Sequence, residues 1–391
     1  MAKQMTILDI GSSKVVCLIC CIDEGDTLVV QGAGVKGYKG YRKGRFISEN
    51  SLANAVIEAV TGAENEAKRR ARSIVVGVNA PFCHVGINKG GVKVSSQAGR
   101  VTERDIHELI TSSYKEPPVG FELIQSTPVC FKLDDGECEF SVPIGKNADI
   151  ISGTISHVAV ESDYKSLVRD ILSELKIEIS NFVAVPQALG AFLIPPEEIT
   201  KDVFIVDVGS THTDVILQNN GAIIDMRTID AGGMHITTDI SYIFGTSLRE
   251  SERIKRNHTF GLDCRGTFID VKNDADEVMT VNAVDVQDVI DARVMELADM
   301  IAVCADNMGL PCKPAQRIYF TGGGIALMRG SMEFLSKYLD IEAVNQMPWM
   351  PRLSSQNYAS AYAVMMMALK RINEMPSSRS MMDRIKNLFV Q

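Results

Sequence analysis

Two short stretches carry the residues best suited to chemistry. Residues 6–19 read TILDIGSSKVVCLI and residues 204–217 read FIVDVGSTHTDVIL. Each has an apolar run, an acid, Gly, two small hydroxyl residues and a second apolar run. The acids, Asp9 and Asp207, stand 198 positions apart (207 − 9), about half the chain. Gly11 and Gly209 let backbone N–H groups approach an anion closely. Ser12, Ser13, Ser210 and Thr211 add hydroxyl donors, and Lys14 offers a point charge to a phosphate. Asp9 and Asp207 cannot face phosphate bare, but they suit the water shell of a Mg²⁺ ion, which prefers oxygen and keeps several waters. Plain strand-end capping is the other reading of the two acids. A third loop, Gly322, Gly323 and Gly324 in RIYFTGGGIALMRG (317–330), leaves a strand and is expected to start a helix. Three successive glycines let backbone pass close under a flat ring or ribose. A simple strand-to-helix turn would need only one.

These loops need elements to hold them. Residues 5–22 read as strand–turn–strand and 27–35 as a further strand. The stretch 48–70 reads as a helix, with Ser48 or Asn50 as its N-cap and Leu52, Val56, Ala59 and Val60 on one face; 73–78 reads as a short buried strand. Strands followed by helices suggest an α/β lobe. After NAPFCH (79–84) the character changes. Residues 85–160 hold a Gly-rich basic strand region, an acidic helix start at 102–110, a strand at 122–133, an acidic hairpin tip at 134–137 and a strand at 149–160. This reads as an inserted β-rich subdomain. The α/β rhythm resumes with a helix at 163–176 and a strand at 178–185. Further on, Val289, Ile290, Val294, Leu297, Ile301 and Cys304 form the apolar stripe of a helix.

Composition bounds the function. The chain has 391 residues, 46% apolar and 23% charged, as in an ordinary globular protein, with room for two to three domains or two lobes sharing one site. A net charge of −9 argues against a chain-wide grip on nucleic acid. No run of about 18 apolar residues is present to span a bilayer, and MAKQMTILDI enters a strand pattern at once, so no signal peptide is expected. The nine cysteines read as buried cytosolic thiols: Cys17 and Cys20 lie in a continuous apolar run, without the second pair or the His of a zinc site.

The last stretch, PSSRSMMDRIKNLFVQ (376–391), is different again. On a helical period Met381, Met382, Ile385, Leu388 and Phe389 share one side, and Arg379, Arg384 and Lys386 lie near the other. A net +2 over 379–391, in a chain of −9, suits an anionic membrane surface. A helix docked on the protein's own core is the alternative.

The order of phosphate loop, second phosphate loop and strand–GGG loop resembles the actin, Hsp70 and sugar-kinase superfamily. Within it, LDIGSSKVVCLI, GYRKGRFISENSLANAVIEAV, DVGSTHTDVIL, DAGGMHITTDISYIFGTSLRESERIK and TGGGIALMRG are similar to the FtsA family of actin-like bacterial division proteins. The likeness implies an α/β, two-lobed actin-like ATPase fold with an inserted β-rich subdomain and a C-terminal amphipathic helix. It implies a first actin-like subdomain at 1–82, returning at 162–200, and an inserted interaction subdomain at 83–161. A second large subdomain at 201–235 would return at 311–370, with a small upper subdomain at 236–310 and a linker and membrane-targeting helix at 371–391. It also implies ATP and Mg²⁺ as cofactors, Gly232 and Gly233 in the nucleotide set, and Glu252 and Lys255 of SERIK against ribose and base. A solvated salt bridge is the alternative reading of that last pair.

The implied role is a scaffold that polymerises and ties FtsZ filaments to the cytoplasmic face of the membrane at the division site, and that contacts later division proteins through the insertion. Two departures stand out. Ser210, Thr211 and His212 occupy positions where the family has glycines, so side chains stand where bare backbone approached phosphate. In FVAVPQALGAF, Val185 stands where ATP-hydrolysing relatives carry a water-activating acid; Gln187, two residues on, is the weak remaining candidate. Nucleotide binding with slow or negligible hydrolysis is therefore expected. A small-molecule kinase of the same superfamily and an actin-like component of type IV pilus assembly are the alternatives.

Overall fold

A computed structural model describes residues 3–22, 28–348 and 353–374. The chain opens with β1 (Lys3–Ile10), β2 (Lys14–Ile22), β3 (Leu28–Gly37) and a small hairpin, β4 (Tyr41–Arg42) and β5 (Arg45–Phe46). Helix α1 (Glu49–Ala67) follows, with Ser48 as its N-cap: the Ser48 hydroxyl accepts from the Ser51 amide. Next come β6 (Ser73–Val78), β7 (Cys83–Lys93), α2 (Glu103–Ser113), β8 (Phe121–Leu133) and β9 (Ile150–Glu161), then α3 (Ser162–Glu174), β10 (Glu178–Ala184) and α4 (Val185–Leu193). The second half holds β11 (Val203–Val208), β12 (Thr213–Asn219), β13 (Ala222–Ile229), α5 (Gly233–Phe244), α6 (Leu248–Asn257), β14 (Phe268–Lys272) and β15 (Val278–Asn282). It closes with α7 (Ala283–Asn307), β16 (Arg317–Thr321), α8 (Ser331–Leu339), β17 (Glu342–Asn345) and α9 (Ala359–Glu374).

The repeated motif is a repeated sheet. One five-stranded sheet runs β3-β2-β1-β6-β10 and the other β13-β12-β11-β16-β17. In each, three antiparallel strands are extended by two parallel ones, and the duplicated motif forms the central hairpin. Side-chain alternation then assigns faces. Along β11, Val203 and Ile205 join the core of the first half, while Phe204 and Val206 join that of the second.

Helices α4 and α9 lie between the sheets. Gly190 of α4 packs so close to β12 that a Cβ there would overlap the Gln218 amide, which donates to the Pro186 carbonyl at 2.6 Å. Ala361, Tyr362, Val364 and Met365 of α9 are buried with the first sheet. The end of the 311–370 segment, expected with the second large subdomain, therefore packs against the first. Its apolar residues recur all round the helix, and only a site between two layers buries every face of a helix.

On the outer side of the first sheet, α1 approaches β3 through small residues. A Cβ on Gly34 would overlap the Ala59 carbonyl, and one on Gly32 the Ala63 carbonyl. The segment from Cys83 to Glu161 forms a separate three-stranded antiparallel sheet, β7-β9-β8, covered by α2. Thr102 and Asp105 cap α2 reciprocally, and Val101, Ile106, Leu109, Phe131, Ile151 and Ile155 give the segment a small core of its own.

Two expectations are corrected. No helix starts at IALMRG: residues 322–330 are turns, tied by Phe260 N–H donating to the Arg329 carbonyl at 2.9 Å, and α8 begins at Ser331. The cysteines are not uniformly buried, since Cys138 is exposed and Cys83, Cys264 and Cys312 are half-buried. The 371–391 segment and its residues Arg379 to Phe389 lie outside the described residues beyond position 374. Among the described residues no helix is long and apolar enough to cross a membrane.

Candidate functional site

The two copies of the motif make the same turn. Gly11 N–H donates to the Lys14 carbonyl at 2.9 Å, and Gly209 N–H donates to the His212 carbonyl at 2.9 Å. Lys14 and His212 are thus counterparts, and the substitution that looked anomalous in the sequence keeps a cationic-capable side chain at that corner. The turns face each other: a Cβ on Gly209 would lie 3.9 Å from the Ser12 hydroxyl. Between them is a cavity of about 480 Å³.

Most of the residues singled out in the sequence line this cavity: Asp9, Gly11, Ser12, Ser13, Lys14, Asp207, Gly209, Ser210, His212, Gly233, Glu252, Lys255, Gly322, Gly323 and Gly324. Thr211 and Gly232 stand behind it. The Thr211 hydroxyl lies 3.5 Å from His212 Nδ1. Gly232 is packed against the second turn, where a Cβ would come within 2.7 Å of the Gly209 carbonyl oxygen. Gln187 is not at the cavity. Its amide donates to the Thr127 hydroxyl and to the Gly221 carbonyl, both at 2.9 Å, so it joins the inserted sheet to the turn between β12 and β13.

The glycines turn out to serve packing as much as approach to a ligand. Gly322 has φ +89°, and a Cβ there would overlap Val208 and the Asp207 carboxylate. Gly324 N–H donates to the Val208 carbonyl at 2.8 Å, and a Cβ on Gly233 would sit 2.6 Å from Gly324 Cα. The third loop, the second turn and the start of α5 thus interlock backbone against backbone. The amides of Gly233 and Met234 donate to Gly209 and Ser210 carbonyls at 3.0 and 2.7 Å, fixing the second turn.

The electrostatics of the floor are unusual. Asp9 is buried and its Oδ1 has no hydrogen-bond partner among the described residues. Burial pushes it up to about 6, against the pull of Lys14. Asp207 is pushed up to about 7 by burial first, then by Asp214 and Asp9, while His212 pulls it down. His212 lies 3.5 Å from Asp214. Burial brings the Lys14 ammonium down to about 8. It donates to the Asn357 carbonyl at 2.7 Å and sits 5.0 Å over the Tyr358 ring. No group of three or more His, Cys, Asp or Glu among the described residues could cage a metal directly. Buried Asp9, with its orphaned oxygen, and half-buried Asp207 do fit a cation held through water.

The roof comes from α5 and α6. Glu252 accepts from Thr237, Lys255 and Arg256 at 2.6, 2.6 and 2.7 Å. Burial pushes Glu252 up, but these three donors outweigh it and hold the carboxyl below its usual range. Lys255 is 4% exposed and donates to the Gly233 carbonyl at 3.0 Å. Lys255 is thus buried under α5, while its partner Glu252, with 31% of its side chain exposed, opens on the cavity.

Several residues that line or support the cavity were missed in the sequence. Asn79 donates to the Ile10 carbonyl at 2.6 Å, and the Tyr38 hydroxyl to the Gly11 carbonyl at 2.7 Å; both secure the first turn. Gln356, Asn357, Tyr358, Arg256 and Thr237 also line the cavity. Asn79 was discoverable, since it directly follows the buried strand β6 that runs parallel beside β1. Val185 starts α4 fully buried. A Cβ on Gly77 would lie 3.1 Å from Val185 and 3.6 Å from Asp9 Oδ1, so this apolar side chain stands close behind the Asp9 carboxylate.

Comparison with known proteins agrees with the resemblance seen in the sequence. The family model described as "Cell division protein FtsA" matches residues 204–363. The chain is 25% identical over 346 residues to the cell division protein FtsA of Neisseria meningitidis, covering 87% of this chain and 82% of that one. It is 24% identical over 368 residues to FtsA of Bacillus subtilis, covering 90% and 78%. Among solved structures, the PilM-PilN type IV pilus biogenesis complex matches with a TM-score of 0.64 at 16% identity, over 93% of this chain and 98% of that chain. MreB5 of Spiroplasma citri bound to ADP matches with 0.55 at 10% identity, over 95% and 98%. The fold is accordingly the two-lobed actin-like one.

Proposed function

We propose that this chain, similar to FtsA over most of its length, is an ATP-binding actin-like scaffold of bacterial cell division, which polymerises and ties FtsZ filaments to the membrane. The observation that carries the reading is the facing pair of turns with the same hydrogen bond, each with its own acid, across one cavity. Turn amides, the Ser12, Ser13 and Ser210 hydroxyls and Lys14 would hold the phosphates. Asp9 and Asp207 would hold the waters of Mg²⁺, which supplies charge neutralisation there. Arg256, Glu252 and Lys255 stand on the opposite wall for ribose and base. Val185, which stands where ATP-hydrolysing relatives carry an acid, cannot itself orient an attacking water by hydrogen bonding, so hydrolysis is slow.

The domain boundaries inferred from the sequence belong to this reading, with 359–370 reassigned to the first lobe. The segment 83–161 contributes no lining residue and acts as an interaction module for self-association and later division proteins. The 371–391 segment supplies the membrane contact, placing the protein on the cytoplasmic face at the division site. The pilus-assembly reading rests on fold likeness alone, whereas the FtsA reading also has sequence similarity behind it.

Titration calorimetry with MgATP tests the core of the proposal. Asp9→Ala and Gly209→Val should each abolish binding while the fold survives, because the first removes a cation partner and the second fills the space facing Ser12. Unchanged affinity in both variants would refute the cleft reading. In the same preparations, phosphate release should fall far below the ~10 per second typical of metabolic enzymes.

A further inference from the structure

Cys130 lies buried in β8, and Cys138 is exposed on the connection from β8 to β9. Their sulfurs are 3.2 Å apart. The backbone keeps them there. Phe131 and Glu139, the residues just after each cysteine, exchange both backbone hydrogen bonds at 2.7 Å. The turn between them is closed by Gly136 N–H donating to the Leu133 carbonyl at 2.9 Å. Asp134 Oδ1 accepts from the amides of Asp149 and Ile150 at 3.0 and 2.9 Å, anchoring the turn to the start of β9. Two thiols already in contact need to move only about 1 Å to reach bonding distance.

We propose that Cys130 and Cys138 are a reversible redox pair, oxidised to an intramolecular disulfide by low-molecular-weight disulfides. The Cys138 thiolate, reachable from solvent, attacks one sulfur of the reagent disulfide and expels the other as thiolate. The Cys130 thiol loses its proton and attacks Cys138 Sγ, expelling the second reagent thiolate. Two protein thiols are oxidised, one reagent disulfide is reduced to two thiols, and two electrons pass between them. In a reducing compartment such a bond is transient, as suits a sensor.

The pair sits at a junction. Asn220, on the turn between β12 and β13, donates to the Val129 carbonyl at 3.0 Å and to the Phe140 carbonyl at 2.9 Å. These carbonyls belong to β8 and to the connection after it, the two stretches that the disulfide would join. The bond would therefore stiffen the patch through which the inserted sheet rests on the second lobe.

Full-length protein treated with oxidised glutathione and mapped without reduction tests this. The expected product has lost about 2 Da, two hydrogens. Trypsin cuts after Lys132, so the peptides 116–132 and 133–146 should stay joined until dithiothreitol is added. Cys138→Ser, at an exposed position, should abolish the product, and Cys130→Ser should leave a stable glutathione adduct on Cys138. A stable adduct in the unmutated protein, chains linked through Cys138, or no modification would each overturn the proposal.

Discussion

Asp9 shows how a single residue can be costly and useful at once. Its carboxyl is buried with one oxygen unpartnered, and burial raises it to about 6 from an ordinary value of 3.8. For a carboxyl raised on folding, the stabilising contribution is fully present below the unfolded value and is lost as pH rises through the folded one. Nucleotide-free protein should thus lose stability through this residue between about pH 4 and 7. Asp9→Asn should raise the thermal midpoint at pH 8 by an amount equivalent to roughly 1–3 kcal/mol, with little change at pH 4. Thermal denaturation at the two pH values checks it. An equal effect at both would mean that Asp9 is not held against its own charge. A residue kept in this condition suits a site completed by a cation.

At the scale of elements, α1 and β3 are held closer than ordinary side chains allow. Gly32 and Gly34 face Ala59 and Ala63, with backbone nearly touching backbone. That approach presses the helix onto the sheet that carries the first turn, and Tyr38, just past β3, reaches Gly11. Gly34→Ala should push α1 outward and cost about 1–3 kcal/mol, the range for overpacking a filled core. Urea denaturation should show a lower midpoint with an unchanged slope. A midpoint equal to that of the parent would mean that the helix has room to slide. The helix, rich in Ala and Glu, stops where Lys68 at φ +51° takes the left-handed cap, its N–H donating to the Glu64 carbonyl.

For the whole molecule, the lobes form one wall each of the cavity, and the inserted sheet touches both. Ser156 donates to the Ile223 carbonyl at 2.7 Å, Asn220 of the same hairpin donates to the Val129 carbonyl, and Gln187 of α4 donates to the Thr127 hydroxyl. The tail, outside the described residues, is where scaffold and kinase readings part. Burying Met382, Ile385, Leu388 and Phe389 contributes at most about 1.5–3 kcal/mol each, and each basic residue near anionic lipid about 1 kcal/mol. One tail gives modest, reversible binding, and a polymer of them binds tightly by avidity. Phe389→Glu should release the protein from vesicles of any composition. Arg384→Ala should weaken only binding to anionic vesicles, as added salt does. Co-sedimentation that survives Phe389→Glu would return the tail to the docked-helix alternative.

The duplicated strand–turn–strand, its acids and its glycines were legible in the sequence because they rest on local rules: period-two apolar runs, and turns that demand Gly. The same holds for Ser48 as the cap of α1 and for the stripe of α7. Tertiary structure alone decided the rest. Lys14 meets the carbonyl of Asn357 from the far end of the chain, and no local pattern announces a partner 343 positions away. Gln187, beside the Val185 segment in sequence, was drawn off to Thr127 and Gly221 by the packing of the inserted sheet. Helix α9 joined the first lobe because its apolar residues lie on several faces, and the layer between the sheets buries the run from Ala361 to Met365. The nearness of Cys130 to Cys138 depended on a two-residue ladder that alternation in sequence cannot register. Periodicity specifies which face of an element is buried, but the partner of that face is chosen by the long-range contacts that close the fold.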